Sequence, residues 1–147
     1  MFRFDQTKIK EIDHTADMGI EVSGDRLPSL FANLAFGMLS LIVSDLNQKG
    51  NRKRSINLSA ASLNQLIVDW LSEINYILQV DHFLVTGIEI KSLTHRSKNF
   101  CISAVLYGCN SQAFEDDFMT EIKAVTYHQL ECTQKENKYF ARVIFDI

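Results

Sequence analysis

This 147-residue chain is short of most features that assign a function on sight. It has three cysteines, Cys101, Cys109 and Cys132, an odd number with no C-x-x-C spacing. That pattern supports neither a disulfide framework nor a thiolate zinc site, so reduced, mostly buried thiols in a reducing compartment are expected. A basic excess is also missing: 15 Lys and Arg against 18 Asp and Glu leave a formal net charge of −3. Proteins that grip nucleic acid by their own field neutralise several phosphates with clustered cations. The one cluster here, Lys49, Arg52, Lys53 and Arg54 beside Gly50 and Asn51, reads as a solvated loop.

Long apolar runs are absent as well. The longest apolar stretches fall short of the roughly 20 residues that a membrane helix needs, and charge breaks up Phe2-Arg3-Phe4-Asp5-Gln6 where a leader would need an apolar run. No membrane contact and a cytoplasmic location are expected. No serine-nucleophile elbow, phosphate-binding glycine loop, H-E-x-x-H or zinc-finger spacing occurs, which removes the common catalytic signatures. Without repeats, low-complexity runs or an interdomain linker, residues 1–147 read as a single domain, long enough to bury a substantial core.

What is present is periodicity. Leu27, Leu30, Phe31, Leu34, Ala35, Met38, Leu39 and Ile42 recur at helical spacing, with Pro28, the only proline, suited to the first turn. Leu63, Leu66, Ile67, Trp70, Leu71, Ile74 and Leu78 repeat the pattern behind Ser59 or Ser62 as a cap. Elsewhere the period is two. Ile20 and Val22 alternate with Gly19, Glu21 and Ser23; Phe100, Ile102, Ala104 and Leu106 share a face, as do Ala141, Val143, Phe145 and Ile147. Strands near Ile88–Leu93 and Phe100–Tyr107 flank a polar, hairpin-sized linker at Thr94–Asn99. The expected fold is α+β: a two-layer domain with a mostly antiparallel sheet packed by two amphipathic helices.

The polar signals lie far apart. Asp13-His14-Thr15-Ala16-Asp17 sets two carboxylates and an imidazole within five residues; Glu121 to His128 forms a second cluster; Asp146 is a third carboxylate near the far end. Alternation in the last strand puts Arg142, Ile144 and Asp146 on the face away from the core, with Arg142 the one neighbour able to neutralise Asp146. A carboxylate on Ile147 would add another negative group. Oxygen ligands of this kind suit calcium, magnesium or manganese better than zinc. Each residue also has a plain structural reading. Asp13 and Asp17 can cap turns, His14 can satisfy a loop carbonyl, and Lys123 can hold a phosphate or merely solvate a surface. Tyr127 and His128 can be a reactive pair or, with Val125 and Gln129, part of a strand face. Glu73, at the edge of the second helix's apolar stripe, is either a solvated flank or an outer acceptor for a metal site.

Asp13-His14-Thr15-Ala16-Asp17-Met18-Gly19 resembles the D-H-T-A-D-x-G opening of the archeases. The resemblance runs in order through Leu30–Met38, Leu66–Glu73 and Lys123-Ala124-Val125-Thr126-Tyr127-His128, and ends at Ala141–Ile147; Pro28 and Gln129 stand where family members often carry acidic residues. It implies a non-enzymatic activator that promotes the guanylate-bound intermediate of RtcB-type RNA ligases in tRNA splicing and RNA repair. RNA would be met only through that ligase. It further implies a divalent metal site on Asp17, Asp146 and a main-chain or terminal oxygen of Ile147, with Asp13, His14, Glu73, Lys123 and His128 facing the partner or lying behind the ligands. The competing expectation is a small metal-dependent phosphoester hydrolase working with Asp17, His14, His128 and Asp146.

Overall fold

In the computed structural model, which describes residues 1–13 and 17–147, the lone proline does open the first helix. Helix α1 spans Leu27–Ile42, and the Ser29 hydroxyl accepts the Arg26 N–H at 3.1 Å, closing its first turn. Helix α2 spans Leu63–Asp81, and Ser62 caps it by accepting the Gln65 N–H at 3.1 Å. His82 ends it at φ 52°, a left-handed turn that stops the helical path.

The α+β expectation holds, with two refinements. The strands form two antiparallel sheets instead of one. Strands β1 (Ile9–Asp13), β2 (Asp17–Gly24), β6 (Ala124–Val125), β7 (Glu131–Lys135) and β8 (Lys138–Asp146) build the larger sheet; β3 (Arg52–Ala60), β4 (Phe83–Arg96) and β5 (Asn99–Asn110) build the smaller one, with β5 central. In addition, α1 is not amphipathic in its setting. Residues Leu30 to Leu39 are all buried, because α1 lies against β1, β2 and β8 on one side and against α2 and β4 on the other. A helix apolar on all sides belongs inside a core, and α1 occupies that place. Helix α2 keeps a solvent face, with Tyr76, Gln79 and Val80 exposed.

Local chemistry explains several boundaries. The β4–β5 connection is tighter than its polar composition suggests: only Ser97 and Lys98 turn, with Ser97 at φ 55°. The β7–β8 hairpin turns on Glu136 and Asn137, both at positive φ, as a type I′ turn requires. The basic cluster is not a loop from Arg52 onward. Arg52, Lys53 and Arg54 begin β3, where Arg54 pairs with Asp81 while Arg52 and Lys53 lie over the Phe83 and Tyr107 rings. All three cysteines are free; Cys109 is buried and the others half-buried, and burial pushes the Cys109 and Cys132 thiols up, away from the reactive thiolate.

One continuous set of buried side chains joins both sheets through the helices. At its centre the fully buried Trp70 donates its indole N–H to the Phe31 carbonyl at 2.9 Å, and its ring tilts 54° against the Phe31 ring. The start of α1 is clamped to β2 by Asn33, whose amide donates to the Ser23 carbonyl at 2.7 Å. The neighbouring Gly24 lets the backbones meet, since a Cβ there would stand 2.5 Å from the Leu30 nitrogen and 2.9 Å from its Cα. Neither atom can yield without moving the helix. Gly24→Ala is therefore expected to lower stability by about 1–3 kcal/mol, the usual cost of overpacking, as read from urea unfolding. An unchanged midpoint would show that α1 can lift from β2 at no cost.

Candidate functional site

Strand β8 is the centre of the larger sheet, with β2 along one edge and β6 followed by β7 along the other. This brings the two ends of the sequence together. Asp146 pairs in register with Asp17 on β2 and with Ala124 on β6, and its carbonyl accepts the Lys123 N–H at 2.8 Å. Residues directly opposed across antiparallel strands project to the same face, so the carboxylates of Asp17 and Asp146 stand side by side. One position along, Met18, Phe145 and Val125 take the other face, where Phe145 is fully buried. Asp146 is exposed and Asp17 half-buried.

The rest of that outer face departs from simple alternation. Ile144 is only 1% exposed although it points away from α1. It fills the space left by its partner Gly19, where a Cβ would meet Ile144 Cδ1 at 2.6 Å and Ile12 Cβ at 3.5 Å. Arg142, the expected neutraliser of Asp146, is engaged elsewhere: its guanidinium donates to Glu21 Oε1 at 3.0 and 2.5 Å. The correction follows from register, because Glu21 lies directly opposite Arg142 while Asp146 is four residues away. Among the described residues, neither Asp17 nor Asp146 has an ion-pair partner. Two like charges directly opposed are destabilising, by something on the order of 1 kcal/mol for a solvent-screened pair.

The other predicted residues are distributed around this pair unevenly. Asp13 closes β1 opposite Met18, one position along β2 from the Asp17–Asp146 pair. His14 lies outside the described residues. Lys123 is exposed and adjoins the site through its backbone. Strand β6 stops at Val125 and does not run on through Tyr127 and Gln129 as their alternation suggests. Thr126 ends it by donating both its N–H, at 3.1 Å, and its hydroxyl, at 2.8 Å, to the Ile144 carbonyl. The chain then turns out of the sheet at Gln129, φ 53°, leaving His128 exposed and beyond the Asp146 row. Glu73 does not join the carboxylates either. It lines a cleft between α2 and β3 with Arg54, Ser55 and Asn57, because its side of α2 faces the smaller sheet.

The side of α2 that does reach this region carries two residues the sequence reading missed. Asn75 and Gln79 both donate to the Ile122 carbonyl, at 2.9 and 2.8 Å, and so fix the segment leading into Lys123 and β6. The available signal was Asn75 itself, an amide within the apolar stripe between Ile74 and Leu78, where a buried polar group demands a partner.

The chemistry of the paired carboxylates fits a hard divalent cation. Two anionic oxygens, with main-chain oxygen and water completing the shell, suit calcium, magnesium or manganese and offer nothing soft to zinc. Among the described residues no group of three His, Cys, Asp or Glu side chains is placed to hold a metal ion. A hydrolytic centre is less well served. His128 follows the end of β6 and is not in register with the carboxylates. No described helix is long and apolar enough to cross a membrane.

Comparison with known proteins agrees with this architecture. The model of the Archease protein family (MTH1598/TM1083) matches residues 10–147. The archease of Methanosarcina barkeri is 34% identical over 136 residues, covering 92% of this chain and 93% of the relative. That of Methanosarcina acetivorans is 33% identical over 140 residues, covering 95% and 96%. The solution structure of protein 1598 from Methanobacterium thermoautotrophicum aligns with a TM-score of 0.76 at 23% identity, over 95% of this chain and 99% of that one. A Thermotoga maritima archease, described as a possible chaperone, aligns with a TM-score of 0.61 at 18% identity, over 94% and 96%. At those identities the structures speak for the fold, while the family model and the methanogen relatives speak for descent. The chain belongs to the Archease protein family.

Proposed function

We propose that this protein is a non-catalytic activator of an RtcB-type RNA ligase, promoting ligase guanylylation and turnover in tRNA splicing and RNA repair in the cytoplasm. Its working surface is the sheet end bearing Asp17 and Asp146, which would hold a calcium, magnesium or manganese ion together with a main-chain oxygen of Ile147. The observation that carries this reading is the register: β2 and β8 set two carboxylates directly opposite one another on an exposed face, and Arg142 is committed to Glu21. A bound cation would offset the repulsion and supply positive charge where phosphate groups gather in a nucleotidyl-transfer site. The chain's own residues supply placement. Asn75 and Gln79 fix Ile122, Lys123 anchors Asp146 through the backbone, and the Lys123 side chain is exposed where an anionic partner group would meet it. RNA contacts are left to the ligase, in keeping with the net charge of −3.

Two outcomes follow. Millimolar calcium or manganese should raise the melting temperature of the wild type, because a ligand bound only by the native state stabilises it by about 2.7 kcal/mol at a hundredfold excess over its dissociation constant. Asp17→Asn and Asp146→Asn should lose that shift, and each should be as stable as the wild type or slightly more so without metal, since one of two repelling charges is gone. A full shift in both variants would move the ion elsewhere. In the second experiment, substoichiometric wild-type protein should increase guanylate labelling and RNA joining by the cognate ligase, while consuming no GTP alone. Rates that stay flat across the titration would refute the activator reading.

A further inference from the structure

A cavity of about 590 Å³ lies beside the acidic sheet end, between the C-terminal half of α2 and residues 111–122. Its floor is apolar, formed by Ile42, Leu78 and the fully buried Ile122. Its lip is apolar too and openly so: Phe118 is 39% and Met119 57% exposed. The Phe118–Met119 segment is held in place, with the Met119 N–H donating to the Ile42 carbonyl at 2.7 Å and the Ser44 N–H to the Asp117 carbonyl at 2.9 Å. The groove is therefore preformed.

Its charge has one sign. Glu115 and Glu121 line it with His82, Asp116 and Asp117 fall between lining residues in sequence, and no lysine or arginine lines it. Among the described residues none of these four carboxylates takes part in an ion pair. A small organic ligand would need convergent polar groups to orient it, yet the amides of Asn75 and Gln79 are already committed to the Ile122 carbonyl. A flexible methionine and an aromatic ring on an open lip are instead the surface that receives the apolar face of a helix.

We propose that this groove docks a basic amphipathic helical segment of a protein partner, its apolar face seated against Phe118, Met119 and the Leu78 floor and its lysines or arginines meeting Glu115 and Glu121. The assignment stands independently of the ligase reading, because it uses neither Asp17 nor Asp146.

The test is nuclear magnetic resonance titration of the full-length protein with three synthetic peptides: an amphipathic leucine–lysine helix, its leucine–glutamate counterpart, and a lysine–serine peptide of equal charge without an apolar face. The leucine–lysine helix should shift the Met119 methyl and the amides of residues 115–122, with the other two at least tenfold weaker. Glu115→Lys combined with Glu121→Lys should reverse the preference between the first two. Met119→Ser should weaken binding of the first several-fold, with the wild-type circular dichroism spectrum retained. Equal shifts with both charge signs, shifts elsewhere on the surface, or no shift at millimolar peptide would overturn the proposal. So would groove resonances that move with protein concentration alone, which would make a second copy of this chain the occupant.

Discussion

The antiparallel pairing of β2 with β8 ties the beginning of the sequence to its end, and two different properties depend on one register. On the inner face it aligns Ile20 with Val143 and Val22 with Ala141, all buried, as the surface on which α1 rests. On the outer face the same alignment sets Asp17 against Asp146, Gly19 against Ile144 and Glu21 against Arg142. A slip by one residue would exchange the faces of every β8 side chain, exposing Val143 and Phe145 and burying Asp146. The cost of exposing that core far exceeds the mutual repulsion of two screened carboxylates. Core packing thus holds the charged pair together, and the strain of like charges is carried by a sheet that cannot relax by sliding.

The helices serve the same end from opposite sides of the core. Buried all round, α1 joins the two sheets, with Gly24 and Asn33 fixing its start and the Trp70–Phe31 contact fixing its packing on α2. From α2, Asn75 and Gln79 reach the Ile122 carbonyl and so steady the short β6 beside Asp146. Rigid elements therefore support the carboxylate pair on both edges of β8. The exposed surface they leave has two chemically distinct parts: a polar sheet end that suits a cation, and an apolar groove with an acidic rim a few residues away along 118–122.

Much of this was legible in the residues, and the failures have physical causes. Helical and twofold periodicities report which local face is apolar, and they located α1, α2, β2, β5 and β8 as well as the placement of Pro28 and Ser62. Periodicity carries no information on which strand neighbours which, so the division into two sheets and the engagement of Arg142 by Glu21 became visible only with the register. Alternation put Ile144 on the right face but carries no word of its burial, which comes from the space that Gly19 opposite leaves for an apolar side chain. Tyr127 and Gln129 looked like strand residues until Thr126 was seen to end the ladder with its own hydroxyl. Glu73 sits on the α2 side that faces β3, a choice made by tertiary packing that helical spacing alone leaves open.

The central claim is that Asp17 and Asp146 form one cation site created by strand register. It is tested most directly by a crystal structure of the protein grown or soaked with manganese and measured at a wavelength sensitive to that ion. The account predicts an anomalous peak between the two carboxylates, with an oxygen from each side chain in the coordination shell. A peak at other residues, or carboxylates that stand apart with no peak between them at saturating manganese, would contradict it.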